Sequence, residues 1–346
     1  MKLNKVKVFL CIFVICLIII GIIFLKQTIN NKNPHESSQE KDEIIEKDII
    51  PPKIELNGNS EESLVCGEKY IEKGAVATDD KDGDITTNIK TKSNLDTNIA
   101  GEYEIKYCVS DSSGNKSEKV RKIKVYNELS KEGLPVLMYH FFYDKNERKA
   151  PDGNWIEIND FEEQIKYLSE NNYYFPTWDE VEKYIDGTKK LPEKSIVLTV
   201  DDGDASFFDL AVPILQKYNV TATSFVITEW YGWRAENKEK NVNYQSHSNN
   251  MHQAGAGGKG VLLSWSKDKI IQDAKTSSEI LGGATVFCYP FGQYNDESKK
   301  EIKESGYKLA FTTNSGRVKP KMVKFELPRV RIDGKTSMKE FINKIK

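Results

Sequence analysis

Two aspartates stand side by side at Asp201-Asp202-Gly203, directly after the β-type run Ser195-Ile196-Val197-Leu198-Thr199-Val200. A carboxylate pair at a strand's end can be an acidic turn or a helix cap. It also suits divided labour, because neighbouring side chains in an extended segment point opposite ways and one can bind a metal while the other acts as a base. The chain has four histidines, His35, His140, His247 and His252, so any histidine-based metal site has a short list to draw on. His247 and His252 stand five apart, a spacing that separates them on a regular helix and calls for a turn or irregular loop. Taken alone, that spacing fits solvated loop histidines as well as ligands. Tyr289-Pro290-Phe291-Gly292 follows a further β-type run.

These groups need a scaffold, and the sequence offers one from about Leu134 onward. β-type and helical segments alternate there, at 135–140, 161–171, 173–175, 178–185, 195–200, 207–218, 222–227, 265–281, 285–289, 296–305 and 307–312. Repeated βα units imply a mainly parallel sheet, closed into a barrel or open. In such folds chemistry collects at the C-terminal ends of the strands.

With 346 residues the chain exceeds a typical single domain. Lys+Arg 50 against Asp+Glu 52 leaves a net charge of -2, so nucleic-acid binding has no electrostatic support. Lys2, Lys5 and Lys7 precede an apolar run at 8–25 closed by Lys26. That run is long enough to cross a bilayer as a helix, and no small-residue cleavage site follows it. Residues 1–26 therefore read as a cytoplasmic N-terminus and an uncleaved transmembrane anchor, with the chain beyond Lys26 outside the cell. Residues 27–50 are too polar to fold and read as a stalk. Residues 51–127 hold short β-rich segments broken by Asp/Gly/Asn turns, the pattern of a small β-sandwich. The aspartates at 79–84 lack the terminal Glu of an EF-hand and read as turn formers. A linker at 128–134 leads into the α/β domain, 135–346.

Two resemblances follow from the motifs. Gly67-Glu68-Lys69-Tyr70, Gly74-Ala75, Ala77-Thr78-Asp79, Gly83-Asp84-Ile85-Thr86, Gly101-Glu102-Tyr103 and Tyr107-Cys108-Val109-Ser110-Asp111 resemble the bacterial immunoglobulin-like repeats of surface proteins. Cys66 and Cys108 fall on expected strands of that domain on the oxidising side of the membrane. A disulfide between them is thus an expectation, provided the fold brings their Cα atoms within about 4.4–6.8 Å. Thr199-Val200-Asp201-Asp202-Gly203, then His247-Ser248 through His252, then Cys288-Tyr289-Pro290-Phe291 resemble the three motifs of the polysaccharide deacetylases of carbohydrate esterase family 4, the NodB homology domain.

The second resemblance implies a deformed (β/α) barrel in which Asp202, His247 and His252 hold one divalent metal and Asp201 is the general base. Zn²⁺ suits such a site, with Co²⁺ or Ni²⁺ able to occupy it. The metal would polarise an acetamide carbonyl and acidify a water, and the third motif, Tyr289, Pro290 and Phe291, would hold the oxyanion through the Phe291 backbone N–H. The chain departs from the family twice. Cys288 replaces the usual arginine of the third motif, leaving Arg329 or Arg331 to orient Asp201, with Arg329 favoured. No histidine follows His252, so the family's late general acid is missing. Tyr139-His140 resembles the dipeptide opening the permuted deacetylases of poly-N-acetylglucosamine systems, which implies His140 as the acid; a near-core histidine is the other reading. Trp230 and Trp233 could stack on sugar rings or pack in the core, and Cys288 reads as a buried structural thiol.

The function these resemblances imply is removal of N-acetyl groups from an envelope polysaccharide by a single-pass membrane enzyme with its catalytic domain extracellular. Peptidoglycan N-acetylglucosamine comes first because the domain is tethered, and poly-N-acetylglucosamine exopolysaccharide second. An inactive glycan-binding surface protein is the reading from another class. Partners are the glycan and the membrane; no protein partner is expected.

Overall fold

The strand Gly101–Ser110 alternates along its length: Ile105, Tyr107 and Val109 are buried while Glu104 and Lys106 face water. That two-residue period is what a half-buried strand requires, and it recurs through the N-terminal domain of the computed structural model, which describes residues 47–236 and 238–346. Strands β1 (Lys53–Leu56), β3 (Ala75–Asp79) and β4 (Gly83–Asp84) form one sheet, with β2 (Glu61–Val65) and β5 (Lys90–Ser93) in the other. The second sheet runs in the order β2-β7-β6-β5, where β6 is Gly101–Ser110 and β7 is Lys116–Tyr126. Ile54, Ala77, Ile105, Tyr107, Val109, Ile123 and Val125 fill the space between them.

Beyond the linker the burial pattern changes, because the strands are buried on both faces. Val136–Tyr139 (β8), Val197–Val200 (β11) and Ala222–Val226 (β12) are buried at every position, as parallel strands covered on both sides must be. Between β8 and β11, β9 (Phe141–Tyr143) and β10 (Trp155–Glu157) pair as a small parallel ribbon. With β13 (Val242–Ser246), β14 (Val286–Cys288), β15 (Leu309–Ser315) and β16 (Leu327–Arg331), the described residues close a parallel barrel in the order β11-β12-β13-β14-β15-β16-β8. Val136, Val197, Phe225, Val286, Leu309, Phe311 and Leu327 belong to one cluster, whereas Leu137, Leu198, Val200, Phe287 and Ala310 belong to another that includes the flanking helices. Alternate residues therefore fill the barrel and carry the helices.

The helix Trp178–Asp186 joins the first cluster through Val181, Tyr184 and Ile185. Its Trp178 ring lies 6.3 Å from Phe225 and 5.3 Å from Phe311. A Thr177/Glu180 capping box starts this helix and left-handed Gly187 ends it. The barrel has a seam: β13 and β14 share a single paired position, Ser246 with Phe287.

The expected anchor at 1–26 and most of the expected stalk lie outside the described residues. Among those described, no helix is long and apolar enough to cross a membrane.

The expected Cys66–Cys108 disulfide is not formed, and both cysteines are free thiols. Register gives the reason. Val65, the neighbour of Cys66, pairs with Tyr126 of β7, while Cys108 pairs with Glu118. Those two positions on β7 are separated by 126 − 118 = 8 residues, or roughly 25 Å at strand spacing, far beyond disulfide reach.

Candidate active site

Asp201 leaves the end of β11 pointing inward, where it is 2% exposed. Arg329 of β16, 1% exposed, meets it from across the barrel. The guanidinium clasps the carboxylate with two hydrogen bonds, Nη1 to Oδ1 at 2.7 Å and Nη2 to Oδ2 at 2.7 Å. Such a bidentate fork fixes orientation as well as charge. Its remaining donors are used as well: Nε donates to the Thr312 carbonyl at 3.0 Å, and Nη1 also donates to Thr199 Oγ1 at 3.0 Å. Burial pushes the Asp201 carboxyl up, but the charge and hydrogen bonds of Arg329 more than offset this and hold it well below the usual carboxylate range. Asp201 is thus an ionised group of fixed direction. Arg331 is exposed and bonds to Asn154 instead, so Arg329 is the arginine that reaches Asp201.

Cys288, at the end of β14, fills the space beside this pair. Its Sγ lies 3.1 Å from Arg329 Nη2 and 3.6 Å from Asp201 Oδ2. Burial pushes its thiol up, so it is a neutral packing group.

Asp202 turns the other way because its backbone is left-handed, φ 76°, followed by Gly203 at φ 78°. A left-handed aspartate is uncommon and persists where its surroundings impose it. Here the Ile227 N–H donates to the Asp202 carbonyl, and a Cβ at position 203 would stand 3.1 Å from Val226 Cγ1. Asp202 Oδ1 consequently lies 3.4 Å from His247 Nε2 and 3.5 Å from His252 Nε2. His247 begins where β13 ends, at the barrel seam, and its Nδ1 sits 2.8 Å from the Cys288 carbonyl. A carbonyl only accepts, so Nδ1 carries the proton and the Nε2 lone pair faces Asp202.

These three residues fit a divalent cation. Ligand atoms about 2.0–2.2 Å from one ion at tetrahedral angles stand roughly 3.4 Å apart, the separations found here. Burial disfavours charge on His247, yet the hydrogen bond to Asp202 and the charge of Asp201 raise its pKa, so the pocket favours a positive charge. Burial and the neighbouring His247 push His252 down to about 4, which leaves it a neutral ligand. Asp201, His247 and Cys288 also converge, but Arg329 already neutralises Asp201 and His247 Nδ1 is committed to a carbonyl.

His140 follows β8 and brings Nε2 to 3.8 Å from Asp201 Oδ2. Burial lowers its pKa more than Asp201 and Asp202 raise it. The third motif divides. Tyr289 is fully buried with its hydroxyl donating to the Phe325 carbonyl at 3.1 Å, and Pro290 is buried at the start of a turn. Phe291 alone reaches the site: left-handed at φ 57°, it lays its ring 4.2 Å from that of His252. Trp230 is 48% exposed with its ring 5.9 Å from His252, so it stands at the rim. Trp233 is exposed too, with the Arg234 guanidinium stacked on it. Neither tryptophan is a core residue. The Arg329 clasp is completed by Thr199, the first residue of the first motif, and by the Thr312 carbonyl, which carries no motif of its own in the sequence.

The profile of bacterial surface protein immunoglobulin-like domains matches residues 54–125, and that of the polysaccharide deacetylases matches residues 188–310. The poly-beta-1,6-N-acetyl-D-glucosamine N-deacetylase of Staphylococcus aureus is 28% identical over 212 residues, 56% of this chain and 73% of that protein. Among solved structures, the Streptococcus pyogenes deacetylase PplD, in complex with acetate, superimposes with a TM-score of 0.55 at 26% identity, covering 63% of this chain and 100% of that one. IcaB from Ammonifex degensii shares the fold, with a TM-score of 0.53 at 23% identity over 63% of this chain and 97% of that one. The chain thus carries a polysaccharide deacetylase domain preceded by a bacterial surface immunoglobulin-like domain, and the relatives it matches are named as deacetylases.

Proposed function

We propose that this chain is a divalent-metal-dependent N-deacetylase of β-linked N-acetylglucosamine polymers, with poly-β-1,6-N-acetyl-D-glucosamine as the preferred substrate. The observation that carries the reading is the placement of one ionised, arginine-clasped carboxylate, Asp201, between His140 on one side and the Asp202/His247/His252 trio on the other. A divalent ion held by Asp202, His247 and His252 would supply a Lewis acid for the acetamide carbonyl and a more acidic water. Asp201 takes a proton from the attacking water, and Arg329 holds the carboxylate in the orientation this requires. His140, kept neutral by burial, receives that proton across the 3.8 Å gap and delivers it to the nitrogen as the C–N bond breaks. Water and amide thereby become acetic acid and amine, which ionise in water to acetate and ammonium. The Phe291 backbone N–H is the protein's own donor toward the oxygen that gains charge.

The substrate order rests on the early histidine and on the substrate named for the staphylococcal relative. Peptidoglycan is the second reading, favoured by the apolar run at 8–25, which would anchor the chain with its enzyme domain outside the cell and beside the wall. Acetate release by the purified full-length chain in detergent decides between them. Metal-stripped protein is assayed on β-1,6-N-acetylglucosamine oligomers and on peptidoglycan, before and after addition of Zn²⁺ or Co²⁺. Metal-dependent release from the oligomers is expected; release from peptidoglycan alone reverses the order, and none from either substrate overturns the reading.

A further inference from the structure

The two histidines of the trio are joined by Ser248-Asn249-Asn250-Met251, a segment with no regular structure whose Ser248 is left-handed at φ 74°. Such a loop places ligands accurately only if its backbone is held from outside. Asp273 does this from the helix Lys267–Ile280: Oδ1 accepts the Asn249 N–H at 2.9 Å and Oδ2 accepts the Asn250 N–H at 2.8 Å. Its carboxylate is 8% exposed and plays no part in the chemistry above. Ser277, one turn further along the same helix face, joins its hydroxyl to that of Ser246 at 2.8 Å, and Ser246 Oγ in turn accepts the Ser248 N–H at 3.0 Å. The other side of the loop is tied to the segment after β12, where the Thr228 and Glu229 N–H groups donate to the carbonyls of Ser248 and Asn249 at 3.1 Å and 3.0 Å.

We infer that Asp273 is a positioning residue for the ion, fixing the loop so that His247 and His252 stay converged on Asp202. A carboxylate accepting two consecutive backbone N–H groups makes charge-assisted bonds that no single neutral acceptor replaces. Outer groups that orient metal ligands typically contribute about 10- to 100-fold in metal affinity. The inference rests on Asp202, His247 and His252 holding the ion.

The test is a Co²⁺ titration of the metal-stripped full-length chain, read by visible absorption, for the wild type, Asp273→Ala and the isosteric Asp273→Asn. Asparagine can accept one of the two N–H bonds but turns an NH₂ toward the other. Both variants are expected to bind Co²⁺ about 10- to 100-fold more weakly and with an altered visible spectrum, alanine the more so, while their metal-free melting curves stay close to the wild type. Wild-type affinity and spectrum in Asp273→Asn overturn the inference, even if Asp273→Ala fails to fold. A wild-type chain that binds no Co²⁺ overturns it together with the metal reading, whereas binding to the wild type with no change in either variant overturns the positioning role alone.

Discussion

Among the described residues, the two largest fully buried side chains are both arginines paired to carboxylates, Arg121 in the β-sandwich and Arg329 in the barrel. They are used in opposite ways. Arg121 spreads its donors over the carbonyls of Asn57, Asn59 and Gly74, the Tyr70 hydroxyl and Glu72. It thereby satisfies carbonyls of the irregular segments on both sides of β2, Asn57 and Asn59 before it and Gly74 after it. Glu72 Oε1 is filled by protein donors, accepting from Tyr107, Gly74 and Arg121. Arg329 instead concentrates two donors on one carboxylate, and that carboxylate faces a second titratable group, His140. A buried ion pair is therefore no sign of function in itself. What distinguishes the second is that its carboxylate borders a partly open cluster of nitrogen and oxygen ligands.

The comparison is broken most directly at Arg329. Arg329→Lys keeps the charge and loses the fork, and deacetylation is expected to fall on the order of 10²- to 10⁴-fold, the range of a misplaced general base; wild-type acetate release would mean that charge alone suffices. His140→Ala should cost at least about 10²-fold in turnover, with the Zn²⁺ content of the purified protein unchanged by elemental analysis; an unchanged rate removes His140 from the reaction. Arg121→Met should act on stability alone. Leaving the carbonyls of Asn57, Asn59 and Gly74 without their buried donor costs about 1–3 kcal/mol, read by denaturant unfolding, with acetate release per folded molecule as in the wild type.

A smaller effect is expected from acid. Burial pushes the Glu72 carboxyl up, but hydrogen bonds from Tyr107, Gly74 and Tyr70 and the charge of Arg121 bring it below its ordinary value. A lowered folded pKa contributes stability that is present above the unfolded value of about 4.3 and is lost as pH falls through the folded one. Glu72→Gln should flatten that acid limb in melts taken below pH 5 or so; an identical slope would assign the acid sensitivity elsewhere. The smallest effect belongs to the unpaired thiols. Cys66→Ser and Cys108→Ser should each change stability by less than about 0.5 kcal/mol, and reductant should not move the melting curve.

Much of the site is legible in the sequence because the local code is strong where a strand ends in chemistry. The buried run Val197–Val200 puts Asp201 and Asp202 at a strand's C-terminal end, but the left-handed backbone of Asp202, not strand alternation, turns it away from Asp201. The five-residue gap between the histidines excludes a regular helix, and they do sit on a loop. Periodicity could not separate Arg329 from Arg331, since residues two apart on a strand share a face. Depth along the barrel separates them: Arg329 lies inside at the level of Asp201, and Arg331 lies at the exposed edge. Asp273 was hidden for a related reason. It sits on an amphipathic helix where an Asp ordinarily meets water, and only packing against the histidine loop gives it two backbone N–H groups.

By itself the sequence determined the order of the parts, the alternation of β and α segments, and the residue types able to hold a cation and move a proton. These are properties of residues near one another in the chain, and strand and turn preferences act over that range. The tertiary structure decided which arginine reaches Asp201, that His140 stands beside it, that the third motif offers Phe291 while burying Tyr289 and Pro290, and that Cys66 and Cys108 stay apart. Each is a question of register between strands distant in sequence. A ladder position sets the distance between two side chains, and closure of the barrel, with β16 brought against β8, sets which ends share a rim.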